Sequence, residues 1–252
     1  MDSTETAKAH HRESLQLINE CLEYFGRMES VRAPTSNRRP LLMLYGPITQ
    51  AIRFAKASAV LSNNGHRIEA QVLARSALEY AVTVQYAYLR TDGLDRLEKT
   101  SILKRRELFA QLAQWHEDPT YLDLATEELP RPGAKGMPPF TQILDLVDPD
   151  HVILQSSYAV LSQVTHVRAG SRDRFFEKVG DELMFSPGRD DDSFESVTVG
   201  ALAFAVTAAT WVFARLTDDS QMLVMLDAHS DRLKIPVRYD GSWGDRDRAY
   251  LD

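Results

Sequence analysis

Arg75 and Glu79 are the residues of this chain best placed to do chemistry. They are the only charged side chains between Ala70 and Leu89, in a run otherwise built from Ala, Val, Leu, Tyr and a few neutral polar residues. Four positions apart on a helix, a guanidinium and a carboxylate share a face and can meet. Arg before Glu is the less favourable order for a solvent-facing pair, and charge in an apolar helix is costly unless it is paired and hydrogen-bonded. Two readings follow. The pair is either a buried brace between helices or part of a polar site in which Arg75 clamps an anion.

A second polar stripe lies at Tyr158, Ser162 and His166, which are spaced by four and climb one side of a helix. A histidine near a helix C-terminus has its charged form favoured by the macrodipole, so His166 suits either an acid/base role or the capping of carbonyls. Arg168, Arg172 and Arg174 follow as a basic cluster, the one feature that points toward phosphate or RNA. Arg75, Glu79, Tyr158, Ser162, His166 and Arg172 make up the candidate set: Arg75, Glu79 and His166 for catalysis, the other three for binding. Ser162 and His166 also have the types of a nucleophile and its base, but no orienting partner or oxyanion site is visible beside them.

These residues must be positioned by helices. Leu15, Ile18, Leu22 and Phe25 recur at helical spacing in a first helix ending near Met28, and Pro34 and Pro40 bracket a connector. Helices are predicted over 41–61, with a kink or restart at Gly46-Pro47, and over 66–89 and 94–115. Others are predicted over 140–147, 151–167 and 218–233. Residues 129–139, rich in Pro and Gly, read as a long surface loop. Phe175-Phe176 and Leu183-Met184-Phe185 flank Gly180-Asp181, leaving room for a small β-hairpin near residues 175–186. From Ser196 to Ala214 no residue is charged, a length close to that of a membrane span. Its many small residues and the lack of a basic anchor on one flank favour a buried central helix. The expected architecture is an all-α multi-helix bundle forming one domain over residues 1–235, followed by a poorly ordered polar tail over 236–252.

The stretch Ala74-Arg75-Ser76-Ala77-Leu78-Glu79-Tyr80, followed by Tyr158-Ala159-Val160-Leu161-Ser162 and Thr165-His166, resembles a family of helical bacterial proteins classed only as a domain of unknown function. Members carry an Arg-Ser-x-x-Glu helix and a later Tyr-x-x-x-Ser-x-x-x-His helix. The likeness spans roughly residues 41–170. It implies an all-α fold and singles out Arg75, Glu79, Ser162 and His166, with no chemistry attached.

Composition removes other classes. The formal charge is −7, against a protein dominated by phosphate or anionic-membrane binding. Cys21 is the sole cysteine, so neither an intrachain disulfide nor a cysteine-cluster metal site can form. Gly133-Ala-Lys-Gly136 is too short for a phosphate loop, and no Gly-x-Ser-x-Gly elbow, Glu-x-x-His pair or His-Glu-x-x-His motif occurs. The Arg-then-His spacing of small helical nucleases is absent; His166 and Arg172 stand in the reverse order. No metal or cofactor is therefore expected. The polar start, Met1 to Glu13, has no apolar run behind a basic segment, so the expected location is the cytoplasm. The favoured function is a non-catalytic ligand-binding or protein-interaction factor of regulatory, stress or defence type, with a homodimer plausible on so many apolar helices. The alternative is an enzyme acting on a phosphate-bearing substrate or RNA, with Arg75, Glu79 and His166 in its site.

Overall fold

The structure, a computed structural model, describes residues 3–126, 130–150, 153–165, 176–185, 195–241 and 243–249. Among these residues nine α-helices and one two-stranded hairpin are found. The helices are α1 (Ser3–Gly26), α2 (Arg38–Asn63), α3 (Arg67–Leu89), α4 (Gly93–His116), α5 (Thr120–Thr126), α6 (Phe140–Val147), α7 (Leu154–Thr165), α8 (Glu195–Thr217) and α9 (Ser220–Leu233). Strands β1 (Phe176–Val179) and β2 (Glu182–Phe185) pair antiparallel across Gly180-Asp181, with Val179 opposite Glu182. Gly180 has φ +64°, a backbone state that a two-residue hairpin turn demands and glycine adopts freely. The fold is the all-α bundle with a small hairpin that the periodicities require.

The uncharged run forms α8, which is the axis of the bundle. Every residue from Ala201 to Ala214 is buried, and 89% of the helix's apolar stretch lies inside the protein. Helices α1, α2, α3, α7 and α9 pack around it. A helix apolar on all sides needs such a jacket, and its alanines let the neighbours approach closely. Its last carbonyls are not left bare: the Asn37 side-chain amide donates to the Leu216 carbonyl at 3.0 Å.

Helices α2 and α3 are joined by three residues, which forces them to run as neighbours. Gly65 in that turn has φ +83°, and the His66 amide closes back onto the Leu61 carbonyl at 2.9 Å. Between the two helices the buried Ser58 hydroxyl donates to the Ala70 carbonyl at 2.7 Å. The kink or restart expected at Gly46-Pro47 does not divide α2, which runs as one helix with Pro47 inside it. Proline removes one rung of the ladder, a local cost that tertiary packing overrides. Asp148 Oδ2 accepts from the amides of Ile153, Leu154 and Gln155 at 3.2, 2.8 and 3.1 Å, and so starts α7.

The tail differs from the sequence expectation. Residues 236–241 and 243–249 are docked rather than loose, with Tyr239, Asp240 and Trp243 buried. Trp243 Nε1 donates to the Leu146 carbonyl at 2.9 Å, and its ring meets Tyr86 edge-on at 5.6 Å. Gln85 Nε2 donates to the Val237 carbonyl at 2.8 Å, and the Thr91 amide donates to the Asp247 carbonyl at 3.1 Å. Two aromatic anchors and a few backbone pairings suffice to hold a polar segment whose composition suggests none of this.

A polar clasp ties α1 to α9. His229 is 2% exposed, with Nδ1 2.7 Å from Glu13 Oε1 and Nε2 3.0 Å from Glu20 Oε2. Arg232 Nε also donates to Glu13, and Gln16 Nε2 to Glu20 Oε1 at 2.7 Å. Burial pushes the Glu13 carboxyl up, but the hydrogen bonds from Arg232 and His229 outweigh it and leave the group below its usual range. Glu20 is held low first by His229 and then by Gln16.

Two outcomes follow. A Cβ on Gly93 would run into the backbone oxygen of Ala87, so Gly93→Ala must shift the α3–α4 corner. It is expected to lower stability by roughly 1–3 kcal/mol in urea unfolding. The clasp carboxyls have folded pKa values below the usual 4.5, so their contribution is complete above that pH and is lost as pH falls through the lower folded values. Thermal midpoints measured from pH 6 down to pH 3, all approximate set points, should drop more steeply for the wild type than for His229→Gln.

Candidate functional site

The nearly all-apolar α3 packs against α2, α7 and α8, which leaves Arg75 facing α7 rather than water. Its side chain is 16% exposed and that of Glu79 is 35%. Arg75 Nε donates to Glu79 Oε1 at 3.0 Å, Nη2 donates to the Tyr158 hydroxyl at 2.8 Å, and Nη1 donates to Thr165 Oγ1. The guanidinium carbon also lies 4.8 Å from the centre of the Tyr158 ring. One cation thus binds a carboxylate on its own helix and two hydroxyls on another. That geometry suits a planar fork of donors and no other side chain.

Arg75, Glu79 and Tyr158, singled out from the sequence, therefore come together. Ser162 sits one turn on from Tyr158, 9% exposed, and its hydroxyl donates to the Tyr158 carbonyl at 2.6 Å. That bond is local to α7, so Ser162 serves its own helix and does not touch the pair. His166, Arg168, Arg172 and Arg174 lie outside the described residues. Sequence reasoning missed Thr165 as a ligand of Arg75. Its position, seven after Tyr158 on the same helical stripe, is the signal that would have found it.

Beside Glu79 the surface opens into a cleft of about 240 Å³. Thr83 and Val84 continue its wall along α3, Tyr80 stands beside them, Pro47 comes from α2, and Leu97 and Phe140 come from α4 and α6. Phe140 packs on Tyr158 with ring centres 5.0 Å apart, and Tyr80 on Phe54 at 5.7 Å, so the aromatic walls are themselves braced. Glu79 Oε2 has no hydrogen-bond donor among the described residues. The cleft is therefore apolar with one carboxylate acceptor at its edge. Pro47 is the part of α2 that reaches it.

Other reactive types are unsuited to chemistry here. Burial pushes the Cys21 thiol up to about 12, a group held protonated in the core. Among the described residues no three His, Cys, Asp or Glu side chains stand together so as to hold a metal ion. Comparison of the chain with family models, with curated proteins and with solved structures finds no match.

The brace can be tested by substitution. Arg75→Met keeps the stem and removes all three donors, and is expected to destabilise by roughly 1–3 kcal/mol in chemical unfolding. Arg75→Lys should recover only part of this, because an ammonium is a point charge and not a fork. A double-mutant cycle with Tyr158→Phe should give a coupling of about 0.5–1.5 kcal/mol.

Proposed function

We propose that this chain is a non-catalytic ligand-binding factor, in which the Arg75 brace fixes α7 against α3 and so shapes the Glu79 cleft. The observation that carries this reading is the occupancy of the guanidinium: Nε, Nη1 and Nη2 each donate within the protein. A phosphate-directed enzyme asks Arg75 to hold an anion, and an arginine committed to three protein acceptors favours structure over clamping. The open functional group is then Glu79 Oε2 at the rim of an apolar pocket.

Size and chemistry narrow the ligand. The cleft's volume of about 240 Å³ falls below the usual range for drug-sized sites, about 300–1,000 Å³. It suits one or two fused rings. A ring N–H or O–H would donate to Glu79, and Tyr80 and Phe140 would flank the ring. The Glu79 charge is already balanced by Arg75, so a neutral donor meets the site as well as a cation does. A lone buried thiol suits the reducing cytoplasm that this reading assigns.

Indole and phenol titrated into the protein under ligand-observed NMR test the reading. Both should bind the wild type and lose binding in Thr83→Phe, which fills the cleft from a half-buried position on α3. Glu79→Gln should weaken them by about three- to tenfold, the equivalent of one charge-assisted hydrogen bond less. Equal binding to wild type and to a folded Thr83→Phe variant would sink the proposal.

A further inference from the structure

A second cleft, sharing no lining residue with the first, lies between α1, the first half of α8 and the segment that follows α9. Its volume is about 370 Å³, within the range of small-molecule sites. Val199, Ala203 and Phe204 of α8, with Leu233 and Ile235, give it an apolar floor and wall. Gly200 holds the space open: a Cβ there would meet nothing within 4 Å.

The polar groups are confined to one side. His10, His11 and Ser14 of α1 line the cleft, with Ser196 at the start of α8. Ser14 is nine-tenths buried, yet its hydroxyl has no hydrogen-bond partner among the described residues, and neither imidazole has one. That hydroxyl opens onto the cleft and is available to a ligand atom or a water. Among the described lining residues the two histidines are the only ionisable groups, and none is a carboxylate. The first turn of α8 presents the positive end of a helix dipole beside Ser196, and the Glu195 carboxylate of that turn lies 4.0 Å from Arg67.

We propose that this cleft binds a small amphiphilic monocarboxylate, its chain along the α8 floor and its head against His10, His11 and Ser14. Imidazole N–H groups and the Ser14 hydroxyl donate to the carboxylate oxygens, and Gly200 admits the chain. With two histidines and no acidic residue in the described lining, the cleft selects a carboxylate over an alkylammonium of the same length.

Hexanoate, octanoate, 1-octanol and octylamine titrated calorimetrically into the full chain test the proposal. Octanoate should bind saturably at one site, several-fold tighter than hexanoate, since each buried methylene is worth up to about fourfold. It should also bind tighter than 1-octanol, with octylamine weakest. Gly200→Leu, whose side chain enters open space, should reduce octanoate binding more than tenfold without lowering the thermal midpoint. His10→Gln combined with His11→Gln, on the outer turns of α1, should bring octanoate down to the level of 1-octanol while leaving 1-octanol unchanged. Should Gly200→Leu fail to fold, the histidine pair remains as the deciding variant. Thr83→Phe should bind octanoate as the wild type does, which separates this site from the Glu79 cleft. The proposal is overturned by no saturable octanoate binding, by octylamine binding as tightly as octanoate, or by octanoate binding that survives in both variants.

Discussion

The structure depends on the burial of α8. From Ala201 to Ala214 this helix has no face to offer water, so it can exist only inside a closed ring of other helices. Within it the Thr207 hydroxyl turns back to the Ala203 carbonyl at 2.7 Å instead of seeking solvent. Five helices, α1, α2, α3, α7 and α9, supply the ring. Each must then carry an apolar inner face, and α3 goes further, because it is covered by α2 and α7 on the flanks that α8 does not reach. That second burial places Arg75 where water is scarce. A guanidinium so placed needs acceptors, and α7 provides two of them in Tyr158 and Thr165. The polar brace is thus a consequence of apolar packing.

The same ring explains where the clefts lie. A jacket of rods around a rod leaves seams, and a seam becomes a cavity where a side chain is small or a helix is interrupted. At one seam the interruption is Pro47, whose helix turn lacks an amide, opposite Thr83 and Val84. At the other it is Gly200, the one residue of α8's cleft-facing stripe without a side chain. The polar clasp of His229 with Glu13 and Glu20 lies on α1 and α9, the helices whose ends flank the second seam, and it holds them together. Packing and cavity are therefore two results of one arrangement.

Much of the bundle was legible from periodicity. The uncharged run, the helix over 66–89 and the Gly180-Asp181 hairpin each follow from local rules that need no knowledge of neighbours. The pair Arg75 and Glu79 was legible because charge in an apolar helix is a contradiction visible in one dimension. The rest depended on contacts distant in sequence. Trp243 and Tyr239 sit in a stretch rich in charge and glycine, and nothing local reveals that α3 and Leu146 receive them. Glu13 and Glu20 read as part of a solvated face on α1, because the histidine that binds them is more than two hundred residues away. Short α5 escaped notice after Asp118-Pro119, where the composition already signals a stop.

The two clefts differ in a way that bears on what a helical bundle of this kind can do. One has a carboxylate at its rim whose charge is met by Arg75; the other has imidazoles and a hydroxyl with no protein partner among the described residues. A rim group already paired within the protein contributes mainly direction, since the ligand must fit the oxygen that remains. Unpaired rim groups contribute affinity as well, since they exchange water for a ligand atom without first breaking a protein bond. The first site is therefore suited to choosing among neutral ring systems by shape, and the second to choosing by head-group charge. Their walls meet through the core, since α3 and α8 pack directly on each other. Because Gly200 already leaves its space open, a chain can lie there without moving α8, and the buried axis that creates both seams keeps their choices separate.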